Sequence, residues 1–473
     1  MTRHPSMPSA TQSVLADLAA FESPNVTYVD PAGGWPIVWD RARDCTVWDV
    51  EGRRYIDHTA AFGVAAAGHA NPAVVRAGQR QMGRLLHAMG DVHPHALKAE
   101  LARTLSDLTF GRWGGPSRRG RVLFGSSGFE AVEAALKTAR IVTGKPGILA
   151  FQGAYHGLGY GALNATHRDL FRSPFRNQLR EFGTFVSWPP CQTFSCPCTP
   201  AGDCRALPEV EREIRNAFRA QPIGAILAEP IQARGGIRLP APGFLPLLRR
   251  LADEHGALLI LDEIYTGFGR TGRWFACEHS GVVPDLICLG KALTGGFPLS
   301  ACVGRADVME AWPPSGGEAI HTSTFLGHPV GCAMALAQIA ELRRRRLPER
   351  SARLGRRFLR ELQTLPPHIG GLRLRPRGLG LMLGIELQDS QGRPAGAAAV
   401  RAVQRLLALG RIVLPEGEHG EVISFTPPLT LPEAEIPRIV ARVRRVLDEV
   451  AADSTAPSST PSAATPQPRR RRR

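Results

Sequence analysis

The stretch from Ala257 to Gly296, ALLILDEIYTGFGRTGRWFACEHSGVVPDLICLGKALTGG, constrains the fold more than any other part of the chain. It holds two short, continuously apolar runs, Ala257 to Leu261 and Leu286 to Leu289, the first ending in Asp262-Glu263 and the second in Gly290-Lys291. Short runs without alternation suit strands buried on both faces of a parallel sheet. Each delivers an ionisable side chain just past its carboxyl end, where open α/β sheets bind ligands. A carboxylate and an amine so placed form either a buried structural ion pair or the working groups of a site, and the two runs alone leave both readings open.

The surrounding residues are more specific. Residues 262–272, DEIYTGFGRTG, followed by GKALTGGFP at 290–298, resemble the fold-type-I enzymes that use pyridoxal 5′-phosphate, specifically the class III (ω-type) aminotransferases. That cofactor needs an amine for a Schiff base and a carboxylate beside its pyridine nitrogen to keep the ring electron-withdrawing. The resemblance assigns Lys291 to the first role and Asp262 to the second. It implies an α/β fold: a large domain with a mostly parallel central sheet flanked by helices, plus a smaller α+β domain.

Composition bounds the alternatives. With 473 residues, 43% hydrophobic and 21% charged, the chain has the make-up of an ordinary globular protein of two domains. No apolar run approaches the roughly 18 residues a membrane span needs, and the N-terminus lacks a basic flank leading into an apolar core, so a cytoplasmic protein is expected. The net charge of +16 raises the question of nucleic acid. The segment 451–473 supplies +4 of it, Arg469 to Arg473 against Asp453, leaving +12 elsewhere. Apart from the block Arg343–Arg346, read as a solvated helix face leading to Pro348, the arginines are scattered and no aromatic-interleaved basic motif accompanies them. An odd count of nine cysteines argues for reduced thiols. Cys45, Cys277, Cys288, Cys302 and Cys332 sit among apolar neighbours and read as core. Cys191, Cys196, Cys198 and Cys204 cluster in WPPCQTFSCPCTPAGDC, either a Pro-rich insertion with incidental thiols or four thiolates around a structural zinc.

In chain order, residues 1–24 read as an irregular arm with a short helix at Ser13–Ala20. Residues 25–70 open the small domain, with a meander over 35–57 turning at Glu51-Gly52 and then the turn Gly68-His69-Ala70-Asn71-Pro72. His69 is equally a turn residue or a pocket residue. The large domain is expected over 71–328, with the cysteine-rich insertion at 189–205. The resemblance places His87, Met89 and His93 near a dimer interface and the substrate entrance.

RVLFGSSGFEAVEAALKTAR at 121–140 predicts a strand, a Gly/Ser turn and a helix whose N-terminus suits an anion. Helix capping alone would explain the serines. The resemblance makes this the phosphate cup, with Ser127, Gly128 and the backbone of Phe129 on the cofactor phosphate; Phe129 stands where a small hydroxyl residue is usual, so one phosphate hydrogen bond is either missing or supplied by Ser126. The resemblance also implies that Tyr155 stacks on the pyridine ring with His156 beside it, and that Ile264 presses on the opposite face. Tyr265 replaces a glutamine that contacts the ring hydroxyl, a bond its phenol could make.

Glu229, after the strand Ala225–Ala228, is implied to pair with a small-domain arginine that opens to admit a substrate carboxylate. That arginine is expected at position 424, where Ser424 stands, and serine cannot form a charged bidentate fork. Arg234 and Arg377 are the substitutes the sequence offers. Thr324, in HTSTF, is implied to reach the phosphate of a neighbouring subunit, hence a homodimer with shared sites; it could also cap the helix Gly331–Leu342.

The C-terminal small domain is expected over 329–450, with strands Leu372–Pro376 and Leu381–Leu387 and helices Ala397–Leu409 and Pro432–Val450, followed by a disordered tail at 451–473. The implied activity is transfer of an amino group from an amino acid or other primary amine to a keto acid or aldehyde. The same fold supports racemases and aminomutases, and a basic, nucleic-acid-associated regulator on a retired enzyme fold is the reading from another class.

Overall fold

The computed structural model describes residues 9–31, 33–114, 119–189 and 206–455. The cysteine cluster Cys191–Cys204 and the arginine tail lie outside them.

Both apolar runs form strands, Leu258–Asp262 and Leu286–Leu289, with every residue buried. They pair in parallel, Asp262 opposite Cys288. They sit inside a seven-stranded sheet whose order is Gly120–Gly125, Ser300–Arg305, Leu286–Leu289, Leu258–Asp262, Ile223–Ala228, Gly147–Phe151, Gly183–Val186. Of the seven, only Ser300–Arg305 runs antiparallel to its neighbours.

The strands lack alternation because both sheet faces are covered. Leu259 and Leu261 share one apolar cluster with Phe244, Leu248 and Leu251 of the helix Phe244–His255. Ile260 points into another, with Ala131, Ala135 and Ala139 of the helix Gly128–Thr143. Fully burying each such leucine or isoleucine contributes about 1.5–3 kcal/mol, so the central strands are held rigidly and their carboxyl ends are fixed in space.

Among the described residues there are two smaller sheets. One is antiparallel, in the order His368–Ile369, Leu372–Leu379, Met382–Gln388, Val422–Phe425, Leu414–Glu416. The other joins the two ends of the chain: Trp39–Arg43, Thr46–Asp49 and Arg54–Asp57 form a meander, and Arg411–Ile412 adds in parallel beside the third strand.

Several boundaries differ from the sequence expectation, each for a local reason. The meander has an additional turn at Asp44, whose φ of 55° reverses the chain between the first two strands. The block Arg343–Arg346 does not lie on one helix. The helix Pro329–Arg344 ends there, Arg346 takes a left-handed φ of 48°, and Leu347–Gln363 starts anew with Pro348 in its first turn, where a missing N–H costs nothing. The last helix, Glu435–Thr455, runs past the 450 boundary. The five cysteines read as core are buried and free. Among the described residues, no helix is long and apolar enough to cross a membrane and no cluster of metal-ligating side chains occurs.

Candidate active site

The carboxyl ends of the central strands open onto a cavity of about 370 Å³. Of the residues nominated from sequence, Gly128, Phe129, Tyr155, His156, Glu229, Asp262, Ile264, Tyr265 and Lys291 line it; Ser127 and Thr324 do not.

Lys291 follows the strand Leu286–Leu289 after Gly290, with a left-handed φ of 43°. Such a backbone costs a non-glycine residue about 1–3 kcal/mol and persists only where the surroundings enforce it. Its Nζ lies 4.5 Å from the centroid of the Tyr265 ring. Burial holds the ammonium below the usual lysine range; Asp262 and Glu229 oppose that shift and Arg234 adds to it.

Asp262 terminates the adjacent strand. Its Oδ2 lies 2.8 Å from His156 Nδ1, and its Oδ1 accepts from the Ile264 amide at 3.1 Å. His156 therefore stands behind the carboxylate and orients it. The imidazole is itself anchored, since its backbone N–H donates to Thr166 Oγ1 at 2.9 Å, and its Nε2 is buried without a hydrogen-bond partner.

Among the described residues, Glu229 pairs with no arginine. It is buried and accepts from the backbone amides of Tyr155 and Ala233, at 3.1 and 3.0 Å, tying together two loops that wall the cavity. Burial, reinforced by the nearby Asp262, pushes its carboxyl up to about 7. The folded state then holds a proton that the unfolded chain releases near 4.5, so Glu229 makes the wild type lose stability as pH rises from about 4.5 to 7. Replacement by glutamine removes that term. Between pH 5 and pH 8 the stability of Glu229→Gln relative to wild type, measured by denaturant unfolding without cofactor, should rise by about 2–3 kcal/mol. A difference that does not move with pH would show an ordinary carboxylate.

Ser127 is the N-cap of the helix Gly128–Thr143, yet its hydroxyl makes no capping bond and is buried without a partner. The amide of Ser126 is taken instead by Glu130 Oε2 at 2.6 Å. Phe129, the departure from a small hydroxyl residue, is accommodated by Gly157 and Gly159: a Cβ on Gly157 would overlap Phe129 Cβ, and one on Gly159 would lie 2.5 Å from its ring. Tyr155 is half-buried, packed edge-on against Phe171 at 5.7 Å.

The Tyr265 phenol lies 3.1 Å from Thr426 Oγ1, so the hydroxyl expected to face a ring substituent already has a partner from a distant part of the chain. Gly63, at a φ of 81°, makes room for it, since a Cβ there would lie 2.9 Å from Tyr265 Cε1. His69 is a turn residue: its Nε2 lies 2.7 Å from Asp57 Oδ2 and its ring packs edge-on against Trp39. His87, Met89, His93 and Thr324 are exposed and away from the cavity of their own chain. Thr324 is not a helix cap either, because His328 caps Pro329–Arg344.

Of the substitute arginines, Arg377 is committed. It is buried, paired with Glu386, and donates to the carbonyls of Gly236 and Ile237. Arg234 lines the cavity, with its guanidinium 5.1 Å from the Tyr155 ring centroid and its Nε 3.4 Å from Glu416 Oε2. Sequence reasoning missed Glu416. It also missed Arg168, which donates to the carbonyls of Arg234 and Gly417 and so fixes the backbones on either side of that pair. Ser424 donates to the Leu414 carbonyl at 3.0 Å and takes no part in the cavity wall.

A lysine and a histidine-braced aspartate stand in one cavity at the ends of neighbouring parallel strands, and the helix that begins at Gly128 carries an unengaged serine hydroxyl at its N-cap, the arrangement implied by the resemblance to pyridoxal-phosphate-dependent enzymes of fold type I. The chain belongs to the class-III aminotransferase family, whose profile matches residues 28–447. It is 38% identical to the 5-aminovalerate aminotransferase of Pseudomonas aeruginosa, over 88% of this chain and 94% of that protein. To the acetylornithine aminotransferase of Methanopyrus kandleri it is 36% identical, over 87% and 95%. Among solved structures it superposes on an (S)-enantioselective omega-transaminase from Thermomicrobium roseum with a TM-score of 0.83, at 29% identity over 93% of this chain and 98% of that one. The ornithine aminotransferase of Toxoplasma gondii gives 0.79 at 27% identity, over 94% and 97%. The protein is thus a pyridoxal-phosphate-dependent transaminase.

Proposed function

We propose that Lys291 is the amine that gives way to the substrate amine and then carries the proton, with Asp262 sustaining the cofactor ring. What carries this reading is that the two side chains leave neighbouring strands into one cavity. Pyridoxal phosphate, when bound here, supplies an aldehyde to take up the amino group and a ring that withdraws electron density from the carbon bearing it.

The residues present suit that group. Ser127 Oγ and the first-turn amides of Gly128–Thr143 would hold the phosphate, Ser127 thereby gaining the partner it lacks. Tyr155 and Ile264 line the cavity from separate loops and would clamp the two faces of the ring. His156 keeps the Asp262 carboxylate aimed. Lys291, held below the usual lysine range, has a neutral fraction able first to attack as a nucleophile and, once displaced, to take a proton from the substrate carbon. The Tyr265 ring, 4.5 Å from Nζ, covers one side of this amine. When a carbonyl substrate replaces the first product, Lys291 returns a proton to its carbon, and the amino group has moved between molecules.

A homodimer completes the reading. Leu86, Met89, Val92, Ile320 and Phe325 are 54–67% exposed, in two segments linked by Thr322 Oγ1 donating to Asp91 at 2.6 Å and by His87 packed on Phe325 at 5.4 Å. Such an apolar patch suits a subunit interface, and a second copy seated on it would bring its own Thr324 toward a neighbouring phosphate.

One experiment tests the whole. The purified protein with cofactor should sediment as a dimer, and adding a primary amine substrate should bleach its visible cofactor band until a keto acid restores it. A monomer would remove the shared site, and a band untouched by any amine would remove the role of Lys291.

A further inference from the structure

The resemblance puts the Tyr265 phenol on a ring substituent of the cofactor. The hydrogen-bond directions oppose that. Thr426 Oγ1 gives its one proton to the Thr59 carbonyl at 3.1 Å, so across the 3.1 Å contact with Tyr265 the phenol must be the donor. Burial raises the phenol above its usual range, which keeps that proton in place. None is left to give to a ring oxygen. We infer that Tyr265 is instead the positioning residue for Lys291: its ring face is the platform on which Nζ rests, and Thr426 with the turn Thr59–Gly63 fixes that platform. This deepens the reading above and rests on Lys291 being the exchanging amine.

Three observations carry it. The first is the contact itself. Nζ lies 4.5 Å from the Tyr265 centroid, within the range over which a π face holds an ammonium. The charged groups that face Nζ are Asp262, Glu229, Arg234 and Glu416. Among the described residues none of them forms a hydrogen bond or ion pair with it, which leaves the ring face to orient it.

The ring is also wedged. Tyr265 is buried, and a Cβ on Gly63 would lie 2.9 Å from its Cε1, so glycine at that position leaves the ring where it is.

Finally, the seat is built from strained backbone. Ala60, Ala61, Phe62 and Gly63 all take left-handed φ, of 48°, 48°, 61° and 81°. Three of the four carry a Cβ that disfavours this region. Asp57 enforces the turn, its Oδ1 accepting from the Thr59 amide at 2.7 Å and its Oδ2 from the Ala61 amide at 3.1 Å. The Gly63 amide closes it, donating at 2.8 Å to the same Thr59 carbonyl that Thr426 bonds. The turn packs beside Lys291–Leu293. Strain so firmly enforced belongs where a side chain must be held in one place.

The test follows how fast the full-length apoprotein takes up pyridoxal phosphate, read as gain of the cofactor band across about pH 6–10. Uptake needs the neutral amine, so its midpoint reports Lys291. A π face favours the ammonium. Tyr265→Leu, which keeps apolar bulk and loses the face, should therefore lower the midpoint by about one pH unit. Tyr265→Phe keeps the face and should restore the wild-type midpoint. Tyr265→Phe and Thr426→Val both break the lock. In the holoenzyme each should lower kcat about tenfold with KM little changed, and the double variant should fall no further than the worse single. A midpoint unmoved in Tyr265→Leu, or lock variants whose losses multiply in the double, overturns the inference while leaving Lys291 its role. A Lys291→Ala variant that still transaminates removes that role, and the platform with it.

Discussion

Replacing Lys291 with alanine should lower transamination by at least about 10⁴-fold, because in the proposed mechanism one side chain is both the exchanging nucleophile and the proton carrier. Each role is worth orders of magnitude alone, and nothing nearby can inherit them. Glu229 and Glu416 are acids held back from ionising by burial, and the Tyr265 phenol is bonded to Thr426 and raised above its usual range. The substitution should leave the fold intact. It also relieves a backbone strain of about 1–3 kcal/mol only if the new residue relaxes from the left-handed region, so stability changes little. Single turnovers should show the loss in the proton-transfer step. Added small primary amines should recover part of the rate, an outcome that a merely structural lysine would not give. Residual activity within about 100-fold of wild type would place the amine elsewhere.

Asp262→Asn should cost roughly 10³-fold in kcat while preserving shape. Asparagine can still accept from the Ile264 amide, but the negative charge is gone and His156 Nδ1 loses the carboxylate that orients it. Loss of one preorganised electrostatic contact to the reacting group costs about 10²- to 10³-fold in kcat. The binding of cofactor should weaken less than turnover falls, since the proposed holders of the phosphate and ring faces are other residues. Turnover reduced less than about tenfold would mean that the ring needs no counter-charge here, and would make His156–Asp262 a packing feature.

The sequence made the strand-end pair legible because a strand buried on both faces must be apolar throughout, and such a run can stop only where a polar group finds a function. The helix start at Ser127–Gly128 was legible for a similar local reason. What escaped were relations across the chain. Arg234 meets Glu416 only because Leu414–Glu416 pairs antiparallel with Val422–Phe425, Leu414 opposite Ser424, and no local spacing encodes that register. The bulk of Phe129 is compensated by Gly157 and Gly159 on another loop, so the substitution looked like a lost contact when it is a fitted one. Glu229 was assigned an arginine partner by resemblance, yet its two bonds go to backbone amides, which any side chain may flank. Thr324 could not be judged within one chain, because the expected role needs another copy. His69, ambiguous in sequence, is settled as a turn residue by Asp57 and Trp39.

The parallel pairing of Arg411–Ile412 with Arg54–Asp57 has a consequence for how the molecule is made. The first three strands leave the ribosome with an open edge whose partner lies most of the chain's length away. At usual rates of synthesis that edge waits on the order of half a minute. Closing it bears the loop entropy of nearly the whole polypeptide, so the large sheet must form first and bring the ends together. Until then the edge can recruit a strand from another nascent copy, and the yield of active enzyme should depend on how dilute those nascent copies are kept.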